Sequence, residues 1–208
     1  MQLKRSSRRS IVRCPVRRVP AILLLAAALL ITLAGCTSGS GPTSTSTATT
    51  TGGRAVIVVT STAFRDGAAI PAQYTCDGQG VSPPLMWTGV PAGTASVALV
   101  VDDPDAPSGP FVHWILAGLP GSDGSITEGA GTGVGLPSGA VSANNSAGRS
   151  GYTPPCPPSG THHYRFTLFA LDGATNVTAG VPADQAMSAI MADAVAHGTL
   201  TGTYSRGS

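Results

Sequence analysis

After Lys4 the chain contains no lysine, and beyond Arg18 its only fixed cations are Arg54, Arg65, Arg149, Arg165 and Arg206. Ten acids stand against these five arginines, so the region beyond the basic N-terminus carries about −5, although all 208 residues together sum to +2. A lysine-free, acidic domain offers no basic stripe to a phosphate backbone, which excludes nucleic acid as a partner. No internal repeat is present, which points to one core. A Gly-x-Ser-x-Gly elbow is missing, as are His-x₃-His and Cys-x₂-Cys pairs. These absences argue against a nucleophilic hydrolase and against a structural metal.

The early cations have their own meaning. Lys4, Arg5, Arg8, Arg9, Arg13, Arg17 and Arg18 precede an apolar run from Ala21 to Leu33, and Ala34-Gly35 then leads into Cys36. This order predicts a secretory signal over 1–35, too short and wrongly flanked for an ordinary spanning helix. Leu33-Ala34-Gly35-Cys36 resembles the lipobox of bacterial lipoproteins. The resemblance implies that Cys36 is diacylated and becomes the mature N-terminus, anchoring the protein to the extracytoplasmic face of the cell membrane. The alternative is a simple secretory signal or an uncleaved anchor. Ser7-Arg8-Arg9 also resembles a twin-arginine signal, so the export route stays open between that and general secretion. Residues 37–53 are almost entirely Ser, Thr and Gly, a composition that reads as a flexible tether reaching roughly 20–25 Å.

Residues 54–208 suit a single domain. The short apolar run at 56–59 predicts a buried strand, runs at 95–101 and 113–119 predict two more, and Leu200–Tyr204 predicts a closing one. From His163 to Leu171 the sequence alternates, with Tyr164, Phe166, Leu168 and Ala170 on one face. A helix is predicted from Pro182 to His197, burying Met187, Ile190, Met191, Ala194 and Val195, with Asp184 in its first turn and Gly198 as its stop. The glycine-rich stretch 121–149 reads as a long exposed loop. The pattern predicts a mainly β fold, an antiparallel β-sandwich with a C-terminal peripheral helix.

Chemistry concentrates in Asp102-Asp103-Pro104-Asp105-Ala106-Pro107, followed by Gly109-Pro110-Phe111-Val112-His113-Trp114. A strand that delivers three acids into a proline-stiffened turn holds them in a set geometry. Downstream stands Gly151-Tyr152-Thr153-Pro154-Pro155-Cys156-Pro157-Pro158-Ser159-Gly160-Thr161-His162-His163-Tyr164-Arg165-Phe166. With these two motifs, and with Tyr74-Thr75-Cys76-Asp77-Gly78 and the closing Gly202-Thr203-Tyr204-Ser205-Arg206, the chain resembles the phosphatidylethanolamine-binding protein (PEBP) family, in its prokaryotic Raf-kinase-inhibitor-like branch.

The resemblance covers 56–206 and implies a Greek-key β-sandwich whose two motifs meet around a small anion-binding cavity. Position by position it implies Asp103 and Asp105 as pocket acids, Pro107 and Phe111 at the rim, His113 from the first motif, and His162 and Tyr164 from the second. His163, between two inward positions, points to the opposite face by alternation. A carboxylate beside histidine favours imidazolium and fixes its tautomer. His113 and His162 can then donate to phosphate oxygens together with the Tyr164 hydroxyl. Two Asp and two His are also legitimate metal ligands. The tight Asp-Pro-Asp turn argues against that use, and no metal or other cofactor is expected.

Cys76 and Cys156 are the two cysteines left in an exported domain, and an even pair there reads as a disulfide. It would close a loop of about 80 residues, worth roughly 4 kcal/mol in the chain-entropy model. A pair of free thiols is the alternative. The expected function is non-catalytic binding of a small anionic or phosphorylated ligand. The alternative is regulation or inhibition of a protein partner, such as a protease, through the pocket rim and the 121–149 loop. The resemblance also allows a homodimer.

Overall fold

The computed structural model describes residues 56–206; the predicted signal peptide, Cys36 and the linker lie outside that range. Within it the strands are β1 (Val58–Thr60), β2 (Leu85–Thr88), β3 (Ser96–Asp103), β4 (Phe111–Pro120), β5 (Gly124–Ile126), β6 (Val141–Ser142), β7 (Gly160–Leu171) and β8 (Ala194–Arg206). A helix, α1 (Ala183–Asp193), sits between the last two. All strand pairs are antiparallel and form two sheets, β1-β2-β5 and β6-β4-β3-β7-β8. In the larger sheet β7 returns beside β3 after β4 and β6 are laid down, which is a Greek-key order.

The unbroken apolar run of β3 follows from its having both faces covered. Val97, Leu99 and Val101 meet Leu85, Trp87 and Ile126 in the core between the sheets. Ala98 and Val100 face the other way, onto Ala186 and Ile190 of α1. β7 is divided likewise: Tyr164, Phe166, Leu168 and Ala170 enter the inter-sheet core, while Phe169 and Leu171 lie under the helix. Each large aliphatic or aromatic side chain buried this way contributes about 1.5–3 kcal/mol. Gly198 of β8 lies hard against the Ile57 backbone just before β1, since a Cβ there would lie 2.0 Å from the Ile57 carbonyl oxygen.

Three expectations are corrected. The helix ends at Asp193, and residues 194–197 already belong to β8, where Ala196 pairs with Ala170 and His197 with Phe169. Ladder bonds to β7 outweigh the helical spacing of those residues. Accordingly Ala186 and Ile190 form the buried stripe, while Met191 and Val195 are exposed. The stretch 121–149 is not a long exposed loop. It supplies β5, a 3₁₀ turn at Ala130–Thr132 and β6, and it buries Ile126, Ala130, Ala143 and Asn145. The first strand is a half-buried edge, with Ile57 and Val59 inside and Val58 out.

Candidate functional site

The inner face of the larger sheet changes from apolar to polar at one end. Val101 pairs with Trp114 and Phe166 in the core. Beyond that level β3 ends in Asp103, β4 begins with Phe111, and β7 contributes His162 and Tyr164. A bulge in β4 adds His113 to this group. Val101 pairs with Trp114 and Asp102 with Val112, so His113 is the extra residue with no partner opposite. Strict alternation would place His113 and Trp114 on opposite faces. The bulge lets both turn inward. Trp114 fills the core and His113 enters the cavity, its ring edge-on to Phe111 and Tyr164 at 4.8 and 5.2 Å between centroids.

These side chains line a cavity of about 230 Å³. Asp103, Pro107, Phe111, His113, His162 and Tyr164 all border it, and the segment 153–158 forms the opposite wall. The volume is below the roughly 300–1,000 Å³ common for drug-sized ligands, so the site suits a small group. Asp105 is the exception among the expected residues. Its carboxylate turns to the exterior, where Oδ2 accepts from the His163 backbone N–H at 2.8 Å and pairs with His163 Nδ1 at 2.7 Å. His163 does point to the outer face, and it takes Asp105 with it. These contacts, the side-chain bond first, hold the Asp105 carboxyl below its ordinary range.

The buried polar groups are ordered by one another. Asp103 Oδ2 accepts from His162 Nδ1 at 2.7 Å, and Asp103 Oδ1 accepts from the Asp105 backbone N–H at 2.8 Å. His113 Nδ1 donates to the Thr153 carbonyl at 2.7 Å, while the Thr153 N–H returns a bond to the His113 carbonyl at 2.9 Å. Both histidines therefore spend Nδ1–H on the protein and leave Nε2 toward the cavity. Burial is the main influence on the His113 ring and holds it below its ordinary value, against the pull of the Thr153 carbonyl and Asp103. This departs from the expected imidazolium. Desolvation outweighs the neighbouring carboxylate and shifts His113 toward its neutral form. Burial, then the carboxylates of Asp103 and Asp105, push the Tyr164 phenol well above its ordinary range. The Cys156 backbone N–H approaches the Tyr164 oxygen and pulls the other way, but the buried hydroxyl has no partner in hydrogen-bond geometry among the described residues, and its proton has no acceptor.

Sequence reasoning missed the support behind the far wall. Asn145 is 3% exposed and donates through Nδ2 to the Gly151 carbonyl and Thr153 Oγ1, at 3.0 and 2.9 Å. Its Oδ1 accepts from the Ala147 and Arg149 N–H groups at 2.9 and 3.3 Å. Asn144-Asn145-Ser146 has turn composition, and nothing local distinguishes the buried asparagine from the half-buried Asn144 or the exposed Ser146. The disulfide expectation holds: Cys76 and Cys156 are bonded, with Cα atoms 5.4 Å apart. The bridge ties the wall to the segment after Tyr74. No group of three or more His, Cys, Asp or Glu residues suited to a metal occurs among the described residues.

Residues 60–205 match the family model described as phosphatidylethanolamine-binding protein. The chain belongs to this family. Among its PEBP-family relatives is the protein LppC of Mycobacterium tuberculosis, named as a candidate lipoprotein. It is 43% identical over 190 residues, spanning 85% of this chain and 92% of LppC. A UPF0098 protein of Methanothermobacter thermautotrophicus is 41% identical over 145 residues, covering 70% of this chain and 96% of its own. Among solved structures, Escherichia coli YbcL, described as a member of the mammalian PEBP family, superposes with a TM-score of 0.69. Its identity is 32%, over 72% of this chain and 98% of YbcL. Similarity to a named lipoprotein agrees with membrane anchoring. No helix among the described residues is long and apolar enough to cross a membrane.

Proposed function

We propose that this PEBP-family chain binds a small anionic, phosphorylated ligand in the cavity at the end of the sandwich, without catalysis, at the extracytoplasmic face of a lipid-anchored protein. The observation that carries the reading is the unpartnered Tyr164 hydroxyl, buried beside a cavity that His113 and His162 also line. An unsatisfied buried hydroxyl costs about 1–3 kcal/mol, which a ligand oxygen accepting its proton would recover. The Nε2 positions of both rings face the same space, and His113, once protonated, donates there through Nε2–H. Among the described residues, no lysine or arginine lines the cavity. The site therefore gains its positive charge by proton uptake at histidine when the anion enters. Asp103 borders the cavity, but both of its oxygens are engaged, Oδ2 by His162 and Oδ1 by the Asp105 N–H.

Titration calorimetry of inorganic phosphate into the full chain tests this reading. The expected result is saturable one-site binding, stronger at pH 6 than at pH 8. Heats indistinguishable from dilution at both values would remove the proposal.

A further inference from the structure

The disulfide stands in surroundings that a structural staple does not require. Cys156 is exposed and belongs to the cavity wall, while Cys76 is half-buried. Arg206, at the end of β8, places Nη1 3.4 Å from Cys156 Sγ. Asp77 Oδ1 holds Nη2 of the same guanidinium at 3.0 Å, and Asp77 Oδ2 accepts from the Tyr204 hydroxyl at 2.6 Å. Buried cystines in apolar surroundings are inert, whereas a cation beside a sulfur lowers the pKa of the thiol that the bond would release. A more acidic leaving thiol departs faster. Asp77 offsets part of the charge, but its bond also aims the guanidinium at the sulfur.

We propose that Cys76–Cys156 is an exchangeable bond, open to a dithiol reductant, and that its state sets how firmly the cavity wall is held; the consequence for ligand binding rests on the function proposed above. One thiolate of the dithiol attacks Cys76 Sγ, forms a mixed disulfide there and expels Cys156 as a thiolate beside Arg206. The second thiol of the donor, as its thiolate, then attacks the donor's first sulfur, the one bonded to Cys76, closing the donor's disulfide and releasing Cys76 as a thiolate. Two electrons pass from the dithiol to the cystine. The donor leaves as a disulfide, and its two protons are balanced by those taken up at Cys76 and Cys156.

After reduction, the wall keeps the Cys76 N–H to Pro155 carbonyl bond at 3.0 Å and the Tyr152 hydroxyl to Tyr74 carbonyl bond at 3.1 Å. The covalent tie is gone, and the Thr153 carbonyl that fixes the His113 tautomer lies in the loosened segment.

The test uses the full chain under native conditions with dithiothreitol. Thiols appearing at Cys76 and Cys156 are followed by alkylation and peptide mass mapping in the wild type, Arg206→Gln and Arg206→Lys. Amide exchange across 150–160 and inorganic phosphate titration are compared for oxidised and reduced protein. Reduction should proceed in the folded protein, about threefold to tenfold more slowly in Arg206→Gln and near the wild-type rate in Arg206→Lys. The reduced form should exchange faster across the wall and bind phosphate several-fold more weakly. Equal rates in wild type and Arg206→Gln, reduction only as fast as global unfolding, or unchanged wall exchange would each overturn the proposal. Failure of both forms to bind phosphate would overturn the pocket reading alone, with reduction rates and amide exchange still deciding this one.

Discussion

Asp103 and His162 form a buried pair, Oδ2 to Nδ1 at 2.7 Å, across the strands β3 and β7 that flank the candidate site. The same carboxylate closes the turn on the Asp105 N–H, so one residue fixes both a ring tautomer and the first bend of the acidic motif. Removing it leaves the buried His162 Nδ1–H and the part-buried Asp105 N–H unpaired. Asp103→Ala should therefore lower unfolding free energy by about 2–4 kcal/mol, measured by urea denaturation. Asp103→Asn, which keeps an acceptor, should lose less.

Asp105 behaves differently. Its pair with His163 is exposed, with side chains 42% and 55% accessible, and such pairs contribute little stability. Asp105→Ala should change the urea midpoint only slightly and leave phosphate affinity close to wild type. A loss comparable to that of Asp103→Ala would place Asp105 in the site after all.

His113 links folding to pH. Its folded-state pKa lies below the unfolded value near 6.5, chiefly through burial. Above 6.5 the ring is neutral in both states. As pH falls below 6.5, the unfolded chain takes up a proton that the folded chain refuses, so stability is lost. Thermal or urea unfolding between pH 5 and 8 should show this decline, and His113→Gln should flatten it. A bound anion reverses the preference, so ligand binding should take up protons and weaken as pH rises.

Gly198 separates a steric requirement from glycine flexibility. A Cβ there meets the Ile57 backbone, whereas at Gly173 the nearest atom is Asp193 Oδ2 at 3.8 Å. Gly198→Ala should cost about 1–3 kcal/mol, as overpacking does, while Gly173→Ala should stay near wild type.

The sequence made β3 and β7 legible because their patterns are set by which faces are covered. It also brought six of the seven expected ligand residues to one cavity. Asp105 escaped because Asp-Pro-Asp spacing does not say which acid turns inward, and its choice depends on His163 from another strand. The end of α1 escaped because residues 194–197 satisfy helical spacing while strand pairing with β7 decides their backbone. Asn145 escaped because its four side-chain bonds appear only once the 145–153 segment has folded against β4. The neutral preference of His113 depends on burial depth, which no motif encodes.

The most direct measurement is calorimetric titration of inorganic phosphate into the full chain and into Tyr164→Phe at pH 6. The account predicts one saturable site in the wild type and roughly tenfold weaker binding in Tyr164→Phe, the loss of one buried hydrogen bond of about 1–1.5 kcal/mol. Equal affinity in the two proteins, or no binding in the wild type, would contradict it.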